Sequence, residues 1–101
     1  MVSDRQMKDL TRILQRAIRL LRDARDSALT AYNALDKVRD IPQTTINTQA
    51  EQTRVDQVLT GLEETMRTLA EKEVEARTGQ PPSPEQREQI KQDQMKARLR
   101  R

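Results

Sequence analysis

A heptad pattern of apolar and small residues near the start of the chain constrains its fold more than any other feature. The members alternate in steps of three and four, and this spacing places them along one face of a single long helix. They are Met7, Leu10, Leu14, Ala17, Leu21, Ala24, Ala28, Ala31, Leu35 and Val38. No proline or glycine occurs within residues 1–40, so nothing in that segment ends the helix early. A face of this length predicts a helix that packs against another helix.

Capping signals predict two long helices, the first over about 3–39 and the second over 48–78. Each begins at a capping box, in which a hydroxyl and a side chain three residues later satisfy the first backbone N–H groups. The two boxes are Ser3 with Gln6 and Thr48 with Glu51. The connection around Pro42 is short enough to make the helices antiparallel neighbours. Residues 1–78 are therefore predicted to form one helical hairpin.

The second helix carries a matching apolar pattern. Val55, Leu59, Leu62, Met66, Leu69 and Ala76 follow the same stepping, which only Glu73 interrupts. Folding the chain about residue 44 places the stretch Ala24, Ala28, Ala31 beside Leu59, Leu62 and Met66, so that small residues face large ones. The first helix has nine basic and six acidic residues and the second has four basic and seven acidic residues. Opposite net charges favour the same antiparallel pairing.

The chain changes character after residue 78. Gly79 is well placed as a C-terminal cap of the second helix, and residues 79–83 form a Gly/Pro linker. Ser83 and Pro84 read as the N-cap and first position of a third helix. Residues 84–101 are therefore predicted to form a short basic C-terminal helix or tail. The predicted fold is all-α, a long coiled-coil-like antiparallel hairpin with this helix appended.

The apolar face of the first helix is wider than one partner helix requires. Its broad part is the predicted oligomer or partner interface, comprising Leu10, Ile13, Leu14, Ile18, Leu20 and Leu21. The plainer explanation is that the third helix folds back over it. That helix offers only Ile90, Met95, Ala97 and Leu99, which form no clean stripe. Self-association of hairpins into a helical bundle, as a dimer or higher oligomer, is therefore favoured.

Two sets of cations are candidate contacts for phosphates or for an acidic protein surface. The basic stripe of the first helix comprises Arg5, Lys8, Arg12, Arg16, Arg19 and Arg22, and the basic tail comprises Lys96, Arg98, Arg100 and Arg101. The plainer explanations are a solvated helix face and complementarity to the helix dipole. Tyr32 is the sole aromatic residue of the chain, so base stacking and base-specific RNA recognition are not supported.

Composition argues against several other classes of function. The chain has no cysteine and no histidine, which removes thiolate nucleophiles, imidazole bases and most transition-metal sites. We therefore expect no cofactor and no enzymatic activity. No apolar run approaches the roughly 20 residues that span a bilayer. The charged first twenty residues argue against a secretory signal, so the expected location is cytoplasmic, or within a virion if the protein is of phage origin. Binding of residues 7–25 to a membrane surface is weakly supported without Trp or Phe anchors.

These features predict a non-enzymatic structural or adaptor protein that self-associates and docks in a larger protein assembly. Small phage or virus assembly factors and secretion-type chaperones have this physical profile, which is an analogy at the level of the fold. The alternative is a nucleic-acid accessory protein that contacts the backbone without sequence preference, through the basic stripe and the basic tail.

Overall fold

The computed structural model describes the backbone of residues 3–99 and the side chains of residues 3–96. Helix α1 spans Asp4–Asp36 and continues into a single 3₁₀ turn, Lys37–Asp40. Helix α2 spans Gln49–Thr78, and helix α3 spans Pro84–Leu99. Helices α1 and α2 pack along each other, and α3 packs against α2. The all-α prediction is confirmed, and the boundaries of the two long helices agree with those expected from the capping signals.

The protein is elongated and its core is thin. Its radius of gyration is 17.9 Å and its longest dimension is 64 Å, whereas a compact domain of 100 residues has a radius of gyration of about 13 Å. Among the described residues, the buried apolar side chains are Leu59, Met66, Val74 and Ala76, and none of these is completely enclosed. All four belong to α2. The hairpin therefore buries little apolar area for its length.

Capping at the two helix starts differs. The predicted capping box at Ser3 is confirmed, since Gln6 N–H donates to Ser3 Oγ at 3.2 Å and Ser3 N–H donates to Gln6 Oε1 at 2.9 Å. The predicted capping box at Thr48 is wrong, because that side chain makes no capping hydrogen bond. Its hydroxyl instead donates to the Leu35 carbonyl at 3.0 Å. Thr48 thus joins the start of α2 to the last turn of α1 and closes the hairpin across the connection.

Two interhelical hydrogen bonds fix the register of the hairpin. Gln15 Nε2 donates to Glu73 Oε1 at 3.3 Å, and Gln52 Nε2 donates to Asp36 Oδ1 at 3.2 Å. The residue numbers of each pair average 44, which is the point about which the sequence predicted that the chain folds. At the Gln15–Glu73 contact, the acidic second half of α2 therefore meets an uncharged amide of α1. The opposite net charges of the two helices had predicted ion pairs there.

The face of α1 that packs against α2, here called the inner seam, differs from the predicted one at alternate positions. Its members are Met7, Thr11, Leu14, Ile18, Leu21, Arg25, Ala28, Tyr32 and Leu35, all buried or half-buried. Leu10, Ala24 and Ala31 were expected on this face and are exposed. The predicted and observed faces share one residue of each heptad, from Met7 to Leu35. The second residue of each heptad lies four positions after the shared one, where three were expected. As a result, the larger side chains of Arg25 and Tyr32 are covered in place of those of Ala24 and Ala31. The predicted residues of α2 are all buried or half-buried as expected, and Gln52 and Val74 are buried in addition.

Helix α3 does not pack along the broad apolar face of α1. It lies on α2, where Gln94 Nε2 donates to the Glu63 carbonyl at 2.7 Å. A cavity of about 150 Å³ between the three helices is lined by Ile18, Met66 and Ile90 among others. Ile13 and Leu20 remain 65% and 57% exposed. The plainer explanation, that α3 folds back over this face, is therefore wrong for Ile13 and Leu20, and Ile18 only shares the lining of a cavity with Ile90.

The end of α2 depends on a left-handed glycine. Gly79 has a φ of 78°, and its N–H donates to the Glu75 carbonyl at 2.8 Å. A Cβ is unfavourable in this conformation, so we expect Gly79→Ala to lower the free energy of unfolding by about 1 kcal/mol in urea titration. Gly61 is the matched control, because it lies inside α2 with nothing within 4 Å of an added Cβ. Gly61→Ala should raise the free energy of unfolding by about 0.5–1 kcal/mol. Equal effects of the two substitutions would contradict this account.

Candidate interaction surface

The structure divides the six residues of the predicted interface into two groups. Leu14, Ile18 and Leu21 lie on the inner seam and are half-buried against the rest of the hairpin. The other three point away from it: Leu10, Ile13 and Leu20 are 42%, 65% and 57% exposed. Each of these three immediately precedes an inner-seam residue in the sequence. They therefore mark a second face of α1.

This second face, here called the outer seam, is a complete heptad pattern in its own right. Its members are Leu10, Ile13, Ala17, Leu20, Ala24, Ser27, Ala31 and Ala34. Seven of these eight residues are apolar, and all but the half-buried Ala17 are exposed. One residue corresponds to about 100° around an α-helix, so the two seams are roughly perpendicular. Two perpendicular seams are the geometry of a helix at a corner of a four-helix bundle, where each helix contacts two neighbours.

The interface between the inner seam and α2 contains polar and charged groups that an apolar coiled-coil interface would lack. Arg25 is the buried residue of α1, with 4% exposure. Its Nη2 lies 3.2 Å from Asp26 Oδ1. On α2, Gln52 is 6% exposed and the Glu73 side chain is 14% exposed. Burying charges and amides offsets part of the gain from apolar burial. The face that α1 buries is thus less uniformly apolar than the face that it leaves exposed.

All six residues of the basic stripe are exposed, and none forms an ion pair with another described side chain. The stripe occupies residues 5–22, a length of about 26 Å along a helix. In the basic tail, Lys96 is exposed at the end of α3. Arg98 belongs to α3, but its side chain lies outside the described part of the chain, as do Arg100 and Arg101 entirely. The structure therefore supports an accessible row of cations on α1.

Polar groups cluster where the hairpin turns. The Asp36 carboxylate accepts hydrogen bonds from Arg39 and from Gln52. The hydrogen bond from Arg39, and then that from Gln52, hold the pKa of Asp36 below its ordinary value. The same contact raises the pKa of the Arg39 guanidinium. A nearby groove of about 690 Å³ is lined by Tyr32, Ile41 and mostly polar residues of the connection. These contacts tie the end of α1 to the start of α2.

Within the described residues, no three carboxylates, cysteines or histidines come together in a way that could hold a metal ion. None of the helices described is long and apolar enough to cross a membrane. Comparison with protein-family models, curated proteins and solved structures finds no match for this chain.

Proposed function

We propose that this protein is a non-enzymatic helical scaffold or adaptor whose hairpins self-associate through the outer seam. One observation carries the proposal: α1 exposes a second heptad of apolar residues across its length, including Ile13 and Leu20 at 65% and 57% exposure. Contiguous exposed apolar surface of this kind marks sites of protein association. A heptad arrangement is specific to a helical partner.

The thin core supports the proposal. The hairpin has four buried apolar side chains among its described residues, and the interface between its two long helices includes the buried Arg25 and Gln52. Small folds commonly obtain the missing apolar burial by oligomerising. Leu14 and Leu21, which are only half-buried, lie beside the outer seam and would be covered further by a second helix there. Apart from Arg16, which borders the outer seam, the exposed cations of the basic stripe would remain free to dock the oligomer in a larger assembly.

Sedimentation equilibrium tests the proposal. We expect the protein at tens of micromolar to have at least twice the monomer mass of 11.7 kDa, and Ile13→Asp combined with Leu20→Asp to return it to the monomer mass. Both positions are exposed in the hairpin, so the variant should retain its helical circular dichroism. The matched control is Ile46→Asp with Met95→Asp, at positions that are 70% and 63% exposed outside the outer seam. A monomeric wild type, or equal dissociation by both variants, would overturn the proposal.

A second candidate function is binding to nucleic acid without sequence preference. The observation that favours it is the exposure of the basic stripe without ion pairs to described side chains. Neutralising phosphates with such a row releases counterions, so affinity should fall steeply as salt increases. A gel-shift titration with duplex DNA at two salt concentrations tests it, with Arg12→Glu and Arg19→Glu as the weakening variant. No binding at low salt would exclude this function.

A further inference from the structure

The outer seam is self-complementary in size when two copies of α1 run antiparallel. Its larger side chains, Leu10, Ile13 and Leu20, lie toward the N-terminal end, and its C-terminal half is small. In a parallel pair each residue would face its own copy, giving some layers of two large side chains and others of two alanines. In an antiparallel pair with Ala17 opposite Leu20, a large residue faces a small one in all six layers between Leu10 and Ser27, and this arrangement fills a helical interface evenly.

Charges beside the outer seam select one antiparallel register. Arg16 and Asp23 each lie one residue before an alanine of the outer seam, two helical turns apart on the same flank. Both are exposed, and neither forms an ion pair with a described side chain. When Ala17 of one copy faces Leu20 of the other, each Arg16 faces Asp23 of the second copy. Ile13 then faces Ala24, and Leu10 faces Ser27.

Neighbouring registers are disfavoured by the same two residues. A shift of one heptad in one direction brings the two copies of Asp23 together, and a shift in the other direction brings the two copies of Arg16 together. Like charges placed opposite each other in an interface are repulsive and exclude alternative pairings. On the opposite flank the chosen register places Leu14 beside Leu21 of the second copy. Both leucines are half-buried in the hairpin, so this contact extends the core.

We infer that the outer seam binds a second copy of this chain, with the two α1 helices antiparallel, centred between Ala17 and Leu20, and joined by two Arg16–Asp23 ion pairs. This inference rests on the proposed self-association and specifies its partner and geometry. The product is a two-fold symmetric dimer, in which α2 of each hairpin packs on the inner seam and the two α1 helices form the centre.

Charge reversal tests the register. At low salt, Arg16→Asp alone and Asp23→Arg alone should each raise the dissociation constant of the dimer by about tenfold, because each change makes two attractive contacts repulsive. The combined variant Arg16→Asp/Asp23→Arg should return to within about threefold of the wild type. Arg19→Asp is the matched control, since it makes the same change on the exposed flank away from the outer seam, and it should have little effect.

Disulfide trapping tests the orientation. The natural chain has no cysteine, so introduced thiols are the only ones present. Ile13→Cys mixed with Ala24→Cys should form a disulfide-linked heterodimer, whereas Ile13→Cys alone should not. In the inferred register the two copies of residue 13 are about 16 Å apart along the axis, beyond the reach of a disulfide. A trapped Ile13→Cys homodimer, or a dimer indifferent to the charge exchange, would overturn this geometry while leaving self-association in place. A monomeric wild type would instead overturn the proposed function.

Discussion

Leu59→Ala should lower the free energy of unfolding by about 2–4 kcal/mol, a large part of the stability of a chain of this size. Leu59 is 4% exposed and lies on the face of α2 that packs against the inner seam. Removing its side chain loses apolar burial and leaves a cavity that two rigid helices cannot easily close. With so few buried apolar residues, the hairpin has little other burial to compensate for the loss.

The adjacent residue provides the control for this experiment. Val58 is 54% exposed on the same turn of α2, and Val58→Ala should change the free energy of unfolding by no more than about 0.5 kcal/mol. Urea titration followed by circular dichroism measures both variants at one protein concentration. Comparable losses at the two positions would mean that α2 faces α1 differently from the packing described above.

Arg25 should respond oppositely to two substitutions. Arg25→Met keeps a long apolar stem and removes a buried charge, so we expect the free energy of unfolding to rise by about 1–2 kcal/mol. Arg25→Ala also removes the stem, and we expect a loss of about 2–4 kcal/mol from the lost packing. The partner carboxylate of Asp26 stays in contact with water, since its side chain is 23% exposed. The methionine variant therefore leaves no fully buried charge behind.

Urea titration of the two Arg25 variants separates the contribution of the buried side-chain carbons to the free energy of unfolding from that of the charged guanidinium. If the guanidinium contributes net stability, Arg25→Met will be destabilised nearly as much as Arg25→Ala, and that result would contradict the expectation. Leu20→Met makes a useful reference, because it introduces the same side chain at an exposed position of α1. It should leave the unfolding of the dissociated hairpin unchanged.

Much of the fold could be predicted from the sequence because its signals are local. A period of 3.5 residues, a short connection and Gly79 define two antiparallel helices and the end of the second. The choice between Ala24 and Arg25 on the inner seam was not predictable by counting apolar residues. An arginine stem buries more carbon than an alanine side chain, but only a facing helix reveals that it is covered. The hydrogen bond from Thr48 to Leu35 likewise depends on how the connection closes.

Part of the candidate interaction surface could be predicted from the sequence. The exposed residues Ile13 and Leu20 were assigned to a broad interface together with Leu14 and Leu21, which the structure places on the inner seam. A single wide stripe and two adjacent seams contain nearly the same residues, so hydrophobicity alone does not separate them. A second heptad pattern displaced by one residue, with Ile13 and Leu20 in place of Leu14 and Leu21, distinguishes the outer seam from the inner seam. The partner of each seam still requires three-dimensional packing to assign.

In the proposed dimer, the placement of Arg25 on the buried inner seam and of Ile13 on the exposed outer seam would tie folding to protein concentration. If Leu10, Ile13 and Leu20 are covered only by a second copy, part of the folding free energy of the chain is supplied by mass action. Dilution then lowers the stability of the fold, and the midpoint of thermal unfolding rises with protein concentration. Abundance would thus help to set how much of the chain is folded and able to assemble.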